Sequence, residues 1–112
     1  MKLLILDDNM GFAEALALYA TKEGHEVKVA ASRHDALMLF RQGFHPNAIL
    51  VDLKLQTDMG DTFIRTLQPQ EFGRHRLAVV AITADPLLGP ELPPGVPLIR
   101  KPLDPDDILA TL

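Results

Sequence analysis

Short apolar runs alternate with longer amphipathic segments along this chain. The runs that predict strands are Leu3–Leu6, Glu26–Ala31, Ala48–Leu53, Leu77–Thr83 and Leu98–Arg100. Between most of them, apolar residues recur at every third or fourth position, which is typical of helices that bury one face. This alternation predicts an α/β domain in which helices cover both faces of a parallel sheet.

The first two predicted helices have clear start and stop signals. One begins at about Met10 and ends before Gly24, and the next begins after Ser32 and ends at Gly43. Ser32 is a typical N-cap residue, and glycine commonly follows the last turn of a helix. The predicted apolar faces contain Phe12, Leu16, Tyr19 and Ala20 in the first helix and Ala36, Leu37, Leu39 and Phe40 in the second.

In the second half of the chain, the sequence signals for helices are weaker. A short helix is expected around Thr62–Gln68, and Pro105 is well placed to open a last helix. Residues 85–97 contain five prolines and two glycines. Because proline in a helix interior costs about 3 kcal/mol, the fourth helix is predicted to be short or absent.

The length and the lack of cysteine limit the number of domains and the kinds of site that the chain can form. The chain has 112 residues, a length that predicts a single domain over residues 1–112. The last helix reaches Leu112 without a stop signal, so we expect either truncation from a longer protein or an unusually short last helix. The absence of cysteine excludes disulfides and thiolate zinc sites.

Charge and hydropathy bear on partners and location. The net charge is -4, so no broad basic field attracts nucleic acid or an anionic membrane, and direct binding to either is not expected. The apolar start of the chain is interrupted at Asp7, which is too early for a signal peptide or a membrane span. We therefore expect a cytoplasmic protein.

Polar residues stand at the carboxyl ends of four predicted strands. Asp7 and Asp8 follow the first strand, Asp52 ends the third, Thr83 ends the fourth, and Lys101 follows the fifth. Ligands of open α/β sheets bind at this edge, where neighbouring loops diverge. The spacing therefore predicts a shared crevice.

The residue types in this crevice suit phosphoryl chemistry. Three carboxylates repel each other, and a divalent cation such as magnesium, or manganese as a substitute, would relieve that repulsion. Asp52 is then a candidate nucleophile, while Lys101 and Thr83 are candidates to bind the phosphoryl oxygens. Each residue alone also has a structural explanation, as a helix cap, a turn former, a strand residue or a solvated lysine. Their joint placement favours the site.

The same residues carry a family resemblance. Asp7-Asp8, Asp52, Thr83-Ala84 and Lys101-Pro102 resemble, in order and interval, the motifs of receiver domains of two-component response regulators. The resemblance covers nearly the whole chain and implies a flavodoxin-like three-layer α/β/α sandwich with strand order 2-1-3-4-5.

The resemblance also implies a function. Such a domain accepts a phosphoryl group from a sensor histidine kinase or a histidine phosphotransfer protein, and then controls an output domain or partner protein. It is not an enzyme beyond its own phosphorylation and dephosphorylation.

Four positions resemble the family's metal-binding and phosphoacceptor residues. Asp52 resembles the phosphoacceptor and a metal ligand, and Asp8 resembles a direct metal ligand. Asp7 resembles a mostly water-mediated ligand, and Lys54 would contribute its backbone carbonyl. The cofactor implied is magnesium.

Three further positions resemble the phosphoryl-binding and switch residues, and a fourth resembles the family's cis-proline. Thr83, followed by Ala84, resembles the switch hydroxyl that moves onto the phosphoryl group. Lys101 resembles the phosphate-pairing lysine, and the bond before Pro102 is expected to be cis.

The chain departs from the family pattern at several positions. Leu98 stands where an aromatic usually swings inward on activation, which changes the expected coupling to the switch hydroxyl. Gln56 stands where a proline is common, so we expect that loop to be more mobile. Lys54 and Asp85 flank the expected path of the attacking water, and they predict a long-lived phosphoryl group.

Two other functions are compatible with the sequence. The first is a flavodoxin-like binding or scaffolding module that keeps the acidic crevice but no longer turns over phosphate. The second is a free-standing phosphatase, for which only Asp85 offers a nearby acid or base. The four histidines lack a mutual metal spacing and are predicted to be surface or loop residues, namely His25, His34, His45 and His75.

Overall fold

A computed structural model describes residues 1–53, 78–83 and 98–100 of the chain. Within these ranges it contains five strands and two helices. The strands are β1 (Lys2–Leu6), β2 (Glu26–Ala30), β3 (Ala48–Asp52), β4 (Ala78–Thr83) and β5 (Leu98–Arg100), and the helices are α1 (Met10–Lys22) and α2 (Arg33–Arg41).

The five strands form one parallel sheet with the order β2-β1-β3-β4-β5. This confirms the order that the family resemblance implies. In the register, Leu6 lies beside both Ala30 and Val51, so β1, β2 and β3 end at the same edge. Of the polar residues singled out in the sequence, Asp7, Asp8, Asp52 and Thr83 lie at this carboxyl edge, and Lys101 lies outside the described residues.

Each helix begins with a capping side chain. The Asn9 Oδ1 accepts a hydrogen bond from the backbone N–H of Phe12 at 3.1 Å, and the Ser32 Oγ accepts one from that of Asp35 at 3.2 Å. Both bonds satisfy an N–H group that has no partner within the helix. The cap predicted at Ser32 is confirmed.

Glycines follow the last turn of both helices. Gly24 and Gly43 have φ values of 94° and 95°, in the left-handed region that favours glycine. The ends predicted for α1 and α2 are therefore confirmed, with the physical reason that a side chain at either position would be strained.

The sheet has a core on each face. On one face α1 packs against the strands, through the buried residues Leu3, Ile5, Ala13, Leu16, Ala20, Ala48, Leu50, Val80 and Ile82. On the other face α2 packs against a second cluster, formed by Leu4, Leu6, Ala30, Ala36, Phe44, Ile49, Val51, Leu53 and Ala81. Every residue of β3 is buried, which confirms the prediction of a central strand covered on both sides.

The buried face of α1 differs slightly from the prediction. Ala13 is fully buried although the predicted face omits it, and Tyr19 is only half-buried. Leu16 and Ala20 lie in the core as predicted, and Phe12 packs against it. Small side chains at positions 13 and 20 allow a helix to approach a sheet closely, whereas the larger Tyr19 lies at the margin.

Several predicted elements lie outside the described residues. These are the short helix around Thr62–Gln68, the proline-rich stretch of 85–97 and the last helix. Among the helices that the structure describes, none has the length and apolar character needed to cross a membrane.

Candidate functional site

The chain folds so that three aspartates meet at the carboxyl edge of the sheet. Each of Asp7, Asp8 and Asp52 contributes one carboxylate oxygen, and these three oxygens lie within 4.8 Å of one another. The cause is the strand order, because β1 and β3 are hydrogen-bonded neighbours and both end here. The structure thus brings together residues that are 44 to 45 positions apart in the sequence.

Asp7 is the most enclosed of the three. It has no exposed surface, its N–H donates to the Ala30 carbonyl at 3.0 Å, and its Oδ1 accepts a hydrogen bond from the Asn9 N–H at 2.9 Å. A buried carboxylate is costly unless it is hydrogen-bonded or paired with a cation. The end of β2 thus holds the backbone of Asp7, and Asn9, the residue before α1, bonds its side chain.

Asp52 is the last residue of β3 and is 6% exposed. The next residue, Leu53, donates its N–H to the Ile82 carbonyl at 2.8 Å, so the backbone beyond Asp52 stays attached to β4. Asp8 is half-buried. The cluster therefore opens to solvent at one side, which is what a group that must meet a reactant requires.

Thr83 ends the neighbouring strand and has no exposed surface. Because Asp52 lies beside Ile82 in the register, Thr83 is one residue further along β4, at the same edge. A hydroxyl can donate one hydrogen bond and accept others. The placement suits a group that bonds an oxygen atom near Asp52.

Of the other predicted site residues, the structure describes only Leu98. Leu98 begins β5, is half-buried and packs against the cluster on the α2 face. The remaining residues lie outside the part of the chain that the structure describes, and their predicted roles are untested: Lys54, Gln56, Ala84, Asp85, Lys101 and Pro102.

The donor set fits a hard divalent cation. Magnesium binds oxygen at about 2.0–2.1 Å and calcium at about 2.3–2.6 Å, so two ligand oxygens on one ion lie at most about 4 or 5 Å apart. The three carboxylate oxygens lie within 4.8 Å of one another, so they are close enough to surround one such cation, directly or through a water molecule. Three negative charges this close also favour occupation by a cation, because they repel one another.

The structure also bears on the alternative explanation that Asp7 or Asp8 caps the helix that follows. A strand-end Asp-Asp sequence often caps the following helix, but the cap of α1 is the side chain of Asn9. Among the described residues at this edge, Asn9 has a role that was not predicted from the sequence. Its type and its position just before Met10 are an ordinary N-cap signal.

A comparison with protein families identifies the chain. The family model described as the response regulator receiver domain matches residues 3–91. The chain belongs to this family. The matched range includes Asp7, Asp8, Asp52 and Thr83, while Lys101 lies beyond its end.

Solved structures of receiver domains share this fold. A CheY-like response regulator receiver domain protein from Methanospirillum hungatei JF-1 is 24% identical, with a TM-score of 0.79, over 97% of this chain and 87% of that chain. Chemotaxis protein CheY4 of Vibrio cholerae is 20% identical, with a TM-score of 0.81, over 98% of this chain and 93% of that chain. At this identity the two likenesses show the fold alone.

A third structure resembles this receiver domain and contains ligands. It is a response regulator protein from Burkholderia pseudomallei with a phosphorylated aspartic acid, a calcium ion and citrate. It is 25% identical, with a TM-score of 0.80, over 99% of this chain and 65% of that chain. In that protein, a modified aspartate and a divalent cation are present in one structure.

Proposed function

We propose that this receiver domain accepts a phosphoryl group on Asp52 in a reaction that requires magnesium, and that the modified state controls an output. The observation that carries the proposal is the cluster of Asp7, Asp8 and Asp52 oxygens within 4.8 Å, at the sheet edge where Thr83 also ends its strand. The phosphorylated aspartate of the Burkholderia pseudomallei relative supports it.

The transfer itself needs only one nucleophile. A carboxylate oxygen of Asp52 attacks the phosphorus of a phosphohistidine on the donor protein, an O–P bond forms, and the P–N bond breaks. The donor imidazole leaves as a neutral ring after it takes up a proton. Hydrolysis returns the domain to its unphosphorylated state. Water attacks the phosphorus, inorganic phosphate leaves, and the Asp52 carboxylate is restored.

The neighbouring carboxylates hold the cation in this proposal. Asp8 and Asp52 are the proposed direct ligands, with Asp7 acting mostly through water and Lys54 through its backbone carbonyl. The cation would offset the charge of the carboxylates and of the incoming phosphoryl oxygens. Manganese is the expected substitute.

Other residues complete the proposed site. Lys101 pairs with one phosphoryl oxygen, and the Thr83 hydroxyl donates a hydrogen bond to a second phosphoryl oxygen. Ala84, the next residue after Thr83, lies beside this proposed phosphoryl-binding position in the sequence. The bond between Lys101 and Pro102 is proposed to be cis.

We also propose the setting in which the domain acts. Its donor is a sensor histidine kinase or a histidine phosphotransfer protein, and its reader is an output domain or a separate partner protein. The chain acts as one domain over residues 1–112, in the cytoplasm, without direct contact with nucleic acid or membrane. Its activity is limited to its own phosphorylation and dephosphorylation.

The proposal is tested with a small phosphodonor. The full chain is incubated with acetyl phosphate and magnesium, and its intact mass is measured over time. We expect the mass of one phosphoryl group to be added in wild type, and not in Asp52→Asn or after removal of magnesium by a chelator.

Asp35→Asn is the matched control, because Asp35 is an exposed aspartate in the first turn of α2, away from the cluster. It is expected to be phosphorylated like wild type. A folded wild-type protein that gains no phosphoryl group under these conditions would favour the scaffolding module instead.

A further inference from the structure

Asn9 connects the acidic cluster to helix α1 through three hydrogen bonds. Its N–H donates to the Asp7 Oδ1 at 2.9 Å, and its own Oδ1 accepts from the N–H of Phe12 at 3.1 Å. Its carbonyl accepts from the N–H of Ala13 at 2.9 Å, which is the first hydrogen bond of the helix. One residue therefore contacts a candidate metal-binding carboxylate and also holds the first turn of α1.

The bond to Asp7 fixes the orientation of a carboxylate that has no exposed surface. A hydrogen bond to a charged acceptor is stronger than a neutral one, so it selects one side-chain orientation. The backbone N–H of Asp7 is bonded to the Ala30 carbonyl, so the backbone of Asp7 is fixed as well, and the bond from Asn9 acts on its side chain.

The direction of the Asn9 N–H depends in turn on the cap. Asn9 has an extended backbone, with φ of -79° and ψ of 90°, and its side chain holds it there by bonding Phe12. Without the side-chain acceptor, the first turn of α1 frays more easily, because its N–H groups lose a partner. The N–H that bonds Asp7 then varies in direction.

We propose that Asn9 is a positioning residue for the metal site, and that it couples occupation of the site to the order of the first turn of α1. This rests on the proposed metal binding by Asp7, Asp8 and Asp52. Asn9 acts through Asp7 and needs no contact with the ion. By the same coupling, a bound cation stabilises residues 9–13.

The test measures magnesium affinity directly, by calorimetric titration of the full chain. We expect Asn9→Ala to weaken binding about tenfold, which is the lower end of the effect of removing an outer-shell partner of a metal ligand. Asn9→Ser, which keeps a capping oxygen, is expected to restore binding to near the wild-type value.

Ser32→Ala is the matched control. It removes the equivalent capping bond from α2, at the same edge of the sheet, where Ser32 bonds Asp35. Its thermal stability should fall by an amount similar to that of Asn9→Ala, while its magnesium affinity stays at the wild-type value. A general loss of stability would change the affinity of both variants equally.

A second readout follows the helix. Magnesium should slow amide exchange of residues 10–13 in wild type and in Ser32→Ala, and to a smaller extent in Asn9→Ala. If wild type binds magnesium and Asn9→Ala binds it equally well, Asn9 has no positioning role. If wild type binds no magnesium at all, the proposed metal site and this inference are both wrong.

Discussion

Thr83 is a hydroxyl residue with no exposed surface at the end of β4, one position beyond the register partner of Asp52. In the proposed reaction its hydroxyl donates to a phosphoryl oxygen. Burial makes such a bond stronger than it is in water, because few water molecules compete for it.

We predict that Thr83→Val lowers the rate of phosphorylation by acetyl phosphate by at least about tenfold. A hydrogen bond to a charged group contributes about 1.5–3 kcal/mol, and about 1.4 kcal/mol corresponds to a tenfold change in rate. Thr83→Ser keeps the hydroxyl and should stay close to wild type. A folded Thr83→Val protein that is phosphorylated at the wild-type rate would contradict the assigned role.

At the same scale, Asp8 should determine how the protein responds to magnesium. At a magnesium concentration about 100 times the dissociation constant, the free energy of unfolding should rise by about 2.7 kcal/mol, because the ion binds the folded state. We predict that Asp8→Asn loses most of this increment. Melting curves with and without magnesium measure it.

Glu14→Gln is the control for this experiment, since Glu14 is an exposed acid on α1 outside the cluster. It removes the same charge and should keep the full magnesium response. Equal responses in Asp8→Asn and wild type would remove Asp8 from the ligand set.

At the scale of elements, one residue, Asn47, forms hydrogen bonds to two neighbouring strands at the amino edge of the sheet. The Asn47 Oδ1 accepts from the Lys2 N–H at 2.7 Å, its N–H donates to the Lys2 carbonyl at 2.8 Å, and its carbonyl accepts from the Ala78 N–H at 3.0 Å. Asn47 thereby links the start of β3 to β1 and β4, at the end opposite the candidate site.

We predict that Asn47→Ala lowers the free energy of unfolding by about 1 kcal/mol, which is typical for one lost hydrogen bond. Denaturant unfolding should show a lower midpoint with an unchanged slope. Asn47→Asp keeps an acceptor for the Lys2 N–H and should lose less stability. Neither variant should alter phosphorylation, and a change in its rate would mean that the two edges of the sheet are coupled.

At the scale of the whole molecule, Leu98 and the stretch before it bear on how a phosphorylated domain would control its output. Leu98 packs half-buried against the core on the α2 face, at the position where the family usually has an aromatic. The proline-rich stretch that precedes it lies outside the described residues. From the sequence, we expect phosphorylation to reorder this stretch instead of moving an aromatic side chain.

Amide exchange over residues 84–98, with and without beryllofluoride and magnesium, tests this expectation. We predict slower exchange in this stretch when the phosphoryl mimic is bound. Unchanged exchange there, together with a clear response near Asp52 and α1, would place the output surface elsewhere.

Much of the fold follows from local sequence patterns. The apolar runs predict all five described strands to within about one residue, and Ser32, Gly24 and Gly43 mark helix ends because capping and positive φ depend on only a few neighbouring residues. The position of Asp7, Asp8, Asp52 and Thr83 at strand ends is visible for the same reason. The strand order came from the family resemblance and not from the pattern.

Only the tertiary structure decided which of these residues meet. The 4.8 Å cluster requires β1 beside β3, and the full burial of Asp7 and Thr83 requires the packed sheet and its helices. The bond of Asn47 to Lys2 joins residues 45 positions apart, whereas the bond of Asn9 to Asp7 spans only two positions and is local. Hydrophobic periodicity records which face of an element is buried, but it carries no information on which element lies next to it.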